Sequence, residues 1–458
     1  MIALDPESGR ELWKFDPGLD RISLTSPGAV VGDVIVVGSS SADFIAPEMP
    51  HGVVRAFDVR SGQLRWSLRT IPAKGEPGFE TWGGDTTHTG AANVWSTITA
   101  DEQRGLVFLP VSSASPDHYG GTRPGINLYS DSVVALDVKT GQLKWSFQTV
   151  HHDLWDYDLA APPILIDIRR DGREVPAVVV LTKTSLMFVL HRETGVPLFP
   201  VEERPVPASD VPGEQAWPTQ PFPVRPPPLS SHRITAADLD GKNREACAAK
   251  LSTLRNEGIY TPPSLRGTLV HPATSGGANW SGAAFDPVRR LLFVPVNNVG
   301  IEVRLAPSGQ DSGPQDDGNS SFGPPLATAG GLIFHGGTWY SVLRIHDAKS
   351  GAIIGKLDLP AGVHGEANHL QTAPPRASVC RGGGWRTRLN WFAQGRLHHC
   401  VDVYRFLLSH QRTRKLVELP EHHPCPCRKS GPAMLPPRDP YGRTNGPLSR
   451  RISSRPSR

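Results

Sequence analysis

Apolar residues in this chain gather in short runs and not in helical stripes. "DVIVVGSS" (33–40), "GLVFLPV" (105–111), "AVVVLTK" (177–183), "LLFVPVN" (291–297) and "GLIFHGG" (331–337) are rich in Val, Ile, Leu and Phe and bounded by Gly, Pro or Asp. Such runs predict buried strands. "RRDGREVPAVVV" (169–180) predicts a hairpin with an Asp-Gly turn. The positions between the runs repeat. "ALDPESGRELW" (3–13), "AFDVRSGQLRW" (56–66) and "ALDVKTGQLKW" (135–145) share the template Ala-x-Asp-x-x-x-Gly-x-x-x-Trp. "VLHRETGVPLF" (189–199) is a weaker copy with His191 and Phe199 at the Asp and Trp positions, and "IHDAKSGAIIG" (345–355) keeps Asp347 and Gly351 but ends on Gly355. Asp5 and Asp58 lie 53 residues apart, Asp137 and His191 lie 54 apart. A period near fifty with about four strands per unit predicts the blades of a β-propeller. In this reading Asp and Gly turn the chain between a blade's last strands, and the Trp lies across the neighbouring blade.

Composition agrees. Gly (46) and Pro (45) make about a fifth of 458 residues, which disfavours a helical bundle and suits a turn-rich all-β protein. The net charge of +4 is modest, and "SRRISSRPSR" at the C-terminus supplies much of it, so no nucleic-acid partner is expected. No stretch of 18 apolar residues predicts a transmembrane segment, and "MIALDPESGRELWKF" lacks the basic and apolar regions of a signal peptide. Cys247 stands alone in the body, while Cys380, Cys400, Cys425 and Cys427 fall in the last fifth, which is no disulfide framework for the main fold.

The densest chemistry is "HHDLWDYD" (151–158), which reads equally as a metal cage, an acid/base cluster or the polar end of a strand. Adjacent histidines on a strand point to opposite faces and do not readily chelate one ion. His151 and His152 are therefore expected to pack or to orient the loop, with Asp153 and Asp158 as turn and supporting groups.

The docking-Trp repeat resembles that of the quinoprotein dehydrogenases, eight-bladed propellers that hold pyrroloquinoline quinone (PQQ), and is also similar to non-catalytic propellers of outer-membrane assembly lipoproteins. "QTVHHDLWDYDLAAPPILIDI" (148–168) separates the two, because it resembles the segment of membrane-type PQQ glucose dehydrogenases in which His-Asp-Leu-Trp-Asp leads into the active site. Asp156 matches that family's catalytic aspartate. Lys183, 27 residues on in "PAVVVLTKTSLMFVLHRETG" (176–195), matches the lysine that contacts the quinone oxygens. The resemblance implies an all-β fold, a quinoprotein-type β-propeller here incomplete at about five to six blades, with PQQ and Ca²⁺ or Mg²⁺ as cofactors. Asp156 would take the hydroxyl proton of a sugar or alcohol as hydride leaves its carbon. Lys183 and the cation would stabilise the reduced quinone, and electrons would pass to ubiquinone or another membrane acceptor on the periplasmic side. Asn93 and Trp95 in "GAANVWS" and Asn279 and Trp280 in "GGANWSGAAFDP" match cofactor-pocket segments, or else are strand-end amides and core indoles. The resemblance also implies that Asp43 in "SSADF" joins Asp156 at the metal, although Phe44 stands where the family has Asn.

The resemblance covers residues 1–363, within which 204–275 is a long Pro-rich insertion and 308–321 a short linker where the family has a much longer stretch. The chain opens inside a repeat, so the family's leading segments and first blades are expected to be absent. Residues 364–458 carry no repeat and read as an irregular tail, out of frame from near 366. A zinc site from Cys400, His422, His423, Cys425 and Cys427 is the other reading of that tail, against which Cys-Pro-Cys is tighter than usual ligand loops. The rival functional class is a non-catalytic propeller scaffold or a decayed quinoprotein fragment.

Overall fold

A computed structural model of the chain describes residues 1–15, 22–41, 48–239, 244–306, 325–328, 330–335 and 342–358. Asp43, the linker 308–321 and the tail 364–458, with its zinc and reading-frame expectations, lie outside the described residues.

The repeat builds antiparallel meanders in which each strand pairs with the next. The first sheet runs Ala29–Val31, Val34–Val37, Val53–Asp58, Leu64–Arg69, and the second Thr99–Asp101, Leu106–Val111, Ser132–Asp137, Leu143–Gln148. The third has three strands, Ile164–Arg170, Arg173–Leu181 and Met187–His191, and the last has four, Leu326–Ala327, Leu332–His335, Val342–Asp347 and Ile353–Asp358. Hairpins Ile2–Leu4/Glu11–Lys14 and Ala284–Asp286/Leu291–Phe293 are smaller units of the same kind. Every strand read from an apolar run is present, and the hairpin at 169–180 turns on Asp171 and Gly172, both at positive φ. These meanders are propeller blades.

The central strands lack alternation because both faces are covered. Val107, Leu109 and Val111 pack with Val34, Val36 and Val54 of the first sheet. Leu106 and Phe108, on the opposite face of the same strand, pack with Val178, Val180 and Phe188 of the third. Adjacent side chains on one strand thus serve two interfaces, and a continuous apolar run is the only sequence that satisfies both.

The template residues join one blade to the next. In each copy the Gly amide donates to the carbonyl four residues earlier, at Asp5, Asp58, Asp137, His191 and Asp347. The Asp carboxylate accepts the amides two and three residues on, as Asp137 does from Lys139 and Thr140. Each Trp then lies on the Gly of the following turn. The indole N–H of Trp13 donates to Val59 O at 2.9 Å, that of Trp66 to Val138 O at 2.9 Å, and that of Trp145 to Arg192 O at 3.1 Å. A Cβ on Gly62, Gly141 or Gly195 would stand 2.9, 2.6 and 2.6 Å from the indole ring, and each Gly has φ near +70°. Glycine is required twice over, by the turn and by the ring pressed on it.

The Pro-rich insertion pairs Val201–Pro205 with Thr219–Pro223 and carries the helix Arg244–Thr253, none of whose residues is buried. Its buried Gln220 accepts from the His151 amide at 2.8 Å and donates to the His151 carbonyl at 2.7 Å, so the insertion is seated against the 151–158 segment.

Candidate active site

Residues 151–158 form no strand, so the premise that separated the two histidines gives way to a different geometry. His152 and Asp156 take positive φ, 45° and 57°. His151 faces Gln148 and Glu203, while His152 faces the Gly125 carbonyl and Glu214 of the insertion, each at 2.8 Å. The rings diverge to separate partners, and they orient the loop. Asp153 folds that loop by accepting the amides of Trp155 and Tyr157 at 3.2 and 2.9 Å. Trp155 and Tyr157 are buried, and their polar ends donate to the Thr261 and Pro272 carbonyls at 2.8 and 2.7 Å. Asp156 sits between these anchors.

Lys183 follows the strand Arg173–Leu181 directly, and Gly276 and Gly277 press against the turn that carries it. A Cβ on Gly276 would stand 2.4 Å from the Lys183 side chain, and one on Gly277 would stand 1.6 Å from Ser185 Oγ. The glycine pair of "GGANW" therefore permits the close approach that brings Trp280 to this end of the sheet. Lys183 Nζ donates to Asp156 Oδ1 at 3.0 Å, Asp156 O at 2.9 Å and Asp158 Oδ2 at 3.1 Å. All three ammonium hydrogens are thus engaged. Side-chain exposure is 5 % for Lys183, 9 % for Asp158 and 27 % for Asp156, so Asp156 is the member of the trio open to approach.

Burial lifts the Asp156 carboxyl well above the usual carboxylate range, against the pull of Lys183 and with help from Asp158, Asp117 and Asp153. Burial works against the Lys183 ammonium as well, but Asp156 and Asp158 outweigh it and hold the lysine above its ordinary value. His118, which donates from Nδ1 to Leu154 O, is lowered by burial and by the charges of Lys183 and Arg123. A firmly protonated lysine beside a carboxyl of raised proton affinity is an arrangement that can take up and hold a proton.

The other expected site residues divide. Trp95 donates from Nε1 to Asp158 Oδ2 at 3.2 Å, and its ring lies 6.1 Å from that of Trp280, so both indoles meet beside the Lys183 cluster. Trp280 is 42 % exposed and offers aromatic surface. Asn93 is buried and donates to Ser41 Oγ, and Asn279 donates to Ser275 O while accepting the Trp280 amide. Asn279 thus holds its own loop, whereas Asn93 ties its loop to Ser41. An ammonium among carboxylates with adjoining indole surface fits the quinone edge and the flat face of PQQ. No group of three or more His, Cys, Asp or Glu converges as a metal site among the described residues, which do not by themselves make a divalent-ion site. Sequence reading missed the direct part of Asp158, whose spacing of two from Asp156 was the available signal. It also missed Ser113, whose amide donates to Asp158 Oδ1 at 2.7 Å.

Propeller blades carrying a buried carboxylate–ammonium pair beside paired indoles define the class as a quinoprotein-type propeller. Residues 20–321 match the family of PQQ glucose/ethanol/alcohol dehydrogenase β-propeller domains, and the chain belongs to that family. It is 39 % identical over 290 residues to a quinate/shikimate dehydrogenase (quinone) of Acinetobacter baylyi, and 36 % identical over 292 residues to a quinoprotein glucose dehydrogenase of Escherichia coli. Each match covers 62 % of this chain and 36 % of the relative, so the chain spans about a third of their length. The fold is shared with a quinohemoprotein alcohol dehydrogenase of Pseudomonas putida HK5, at a TM-score of 0.59 and 21 % identity over 80 % of this chain and 57 % of that one.

Proposed function

We propose that this chain carries the proton-abstracting site of a PQQ-dependent dehydrogenase that oxidises a sugar, polyol or alcohol hydroxyl. The observation that carries this reading is the Asp156–Lys183 pair at 3.0 Å, with Asp156 as its accessible partner. Asp156 takes the hydroxyl proton, and its raised proton affinity suits it to do so. Lys183, kept cationic by Asp156 and Asp158, holds positive charge where negative charge develops on the acceptor. PQQ, when bound, supplies the hydride acceptor. Trp95 and Trp280 provide its aromatic contact, and Asp43 with Asp156 remain the proposed ligands of a Ca²⁺ or Mg²⁺ ion. Electrons pass on to ubiquinone or another quinone acceptor, on the periplasmic side of the membrane.

The test is reconstitution of the purified chain with PQQ and Ca²⁺ or Mg²⁺, followed by dye reduction over glucose, quinate, glycerol and simple alcohols. Asp156→Asn should cut kcat by about 10²- to 10⁴-fold, the usual worth of a general base, while PQQ still binds in a fluorescence titration. Undiminished turnover in Asp156→Asn would remove it as the base. Absence of PQQ binding by the wild-type chain would favour the non-catalytic propeller.

A further inference from the structure

Beneath the Asp156 loop lies a second group of carboxylates that this reaction scheme does not use. Ser113 Oγ stands 2.9 Å from Asp131 Oδ1 and 2.6 Å from Asp153 Oδ2. All three residues are buried, with exposures of 2 %, 0 % and 1 %. A hydroxyl has one hydrogen. If both carboxyls were ionised, one of these contacts would press two acceptors together with no proton between them, away from water. One carboxyl must therefore carry the second proton.

The surroundings decide which. Asp153 accepts two backbone amides, from Trp155 and Tyr157, and the Arg123 guanidinium donates to the Asp153 backbone carbonyl. These partners favour a carboxylate. Asp131 has Ser113 on Oδ1, and its Oδ2 is buried without a hydrogen-bond partner; the nearby Ser130 hydroxyl, whose pull on Asp131 is toward the carboxylate, spends its hydrogen on the Asn127 carbonyl at 2.9 Å. The charged and titratable groups that face Asp131 are Asp153, Asp158, Arg123 and Tyr260. Burial and the two aspartates raise the Asp131 carboxyl well above the usual range, and Asp153, raised by burial but drawn back by Ser113 and Arg123, is the easier to ionise.

We infer that Asp131 is a neutral carboxylic acid in the folded protein, donating to Ser113 so that Ser113 in turn donates to an ionised Asp153. Asp131 is in this way a positioning residue, for it turns the only hydroxyl hydrogen of Ser113 toward the carboxylate that folds the loop bearing Asp156. The positioning role rests on Asp156 as the base. The protonation state does not, so the two can fail separately.

Asparagine reproduces a protonated aspartate as a donor, and leucine does not. Infrared spectra of the full chain at about pH 8, well above the ordinary carboxylate range, should contain a protonated-carboxyl C=O band that is lost in Asp131→Asn. Hydrogen–deuterium exchange of the peptide covering 150–160 should stay slow in Asp131→Asn and become at least about tenfold faster in Asp131→Leu. No difference in the carboxyl band between wild type and Asp131→Asn would overturn the inference. So would exchange as fast in Asp131→Asn as in Asp131→Leu, or an Asp131→Asn chain that does not fold. The wild-type band, followed as pH rises, is a second measure: its absence already at about pH 6 would also overturn the inference.

Discussion

Aspartate holds two regions of this molecule together, with opposite consequences. At the blade turns, Asp137 accepts from Lys139 N, Thr140 N and Thr140 Oγ1, all within three residues and near solvent. Slight burial opposes its charge, yet the bonds from Thr140 win and lower its pKa. In the 151–158 loop, Asp153 and Asp158 reach Ser113 across 40 and 45 residues, and burial raises Asp131, Asp153 and Asp156. A lowered carboxyl contributes stability above its unfolded value and loses it as pH falls through the folded one. A raised carboxyl does the reverse, and its contribution disappears as pH rises through the folded value. The turns thus oppose acid, whereas the site is most comfortable with some of its acids protonated. Local hydrogen bonding makes a stable turn, and long-range burial makes a carboxyl of raised proton affinity.

Substitutions can break this contrast at either side. Lys183→Met should have the largest effect, because it strands Asp156 and Asp158 without their cation. A loss of about 3–5 kcal/mol is expected in urea denaturation near neutral pH, shrinking in acid as Asp156 protonates. A loss that did not shrink would mean that the pair is not what Lys183 stabilises. Trp145→Ala should follow at about 3 kcal/mol, since it removes a ring that is 8 % exposed and seated on Gly195. If the same method gave less than about 1 kcal/mol, the Trp–Gly contact would not be what joins the blades. Asp137→Asn should have the smallest effect, no more than about 1 kcal/mol. Its Tm difference from wild type should close as pH falls below 3.8 through the lowered pKa of Asp137. A gap that persisted there would show that charge is not what the turn uses.

Legibility followed the same division. Turns were readable because each closes within four residues, and even His191 in the weak copy keeps its turn; the docking Trp, whose partners lie 46 to 72 residues on, was readable because its template recurs. Asp156 and Lys183 were readable only through family resemblance; the structure adds their contact. The parts of Ser113 and Asp131 were not readable, since a serine in "VSSASP" or an aspartate in "YSDS" is ordinary loop chemistry, whereas Asp158 left a signal in its spacing of two from Asp156. For Asn93 and Asn279 the structure adds their partners, Ser41 Oγ and Ser275 O.

Sequence by itself determined the blade, because the central apolar runs are covered on both faces and each Asp–Gly turn closes on its own backbone. Tertiary structure alone decided which aspartates Lys183 binds, which of them is open to approach, and which carboxyls burial raises. Those properties arise from burial and from partners distant in sequence, and a carboxyl's proton affinity is set by the charges and donors that the fold brings around it.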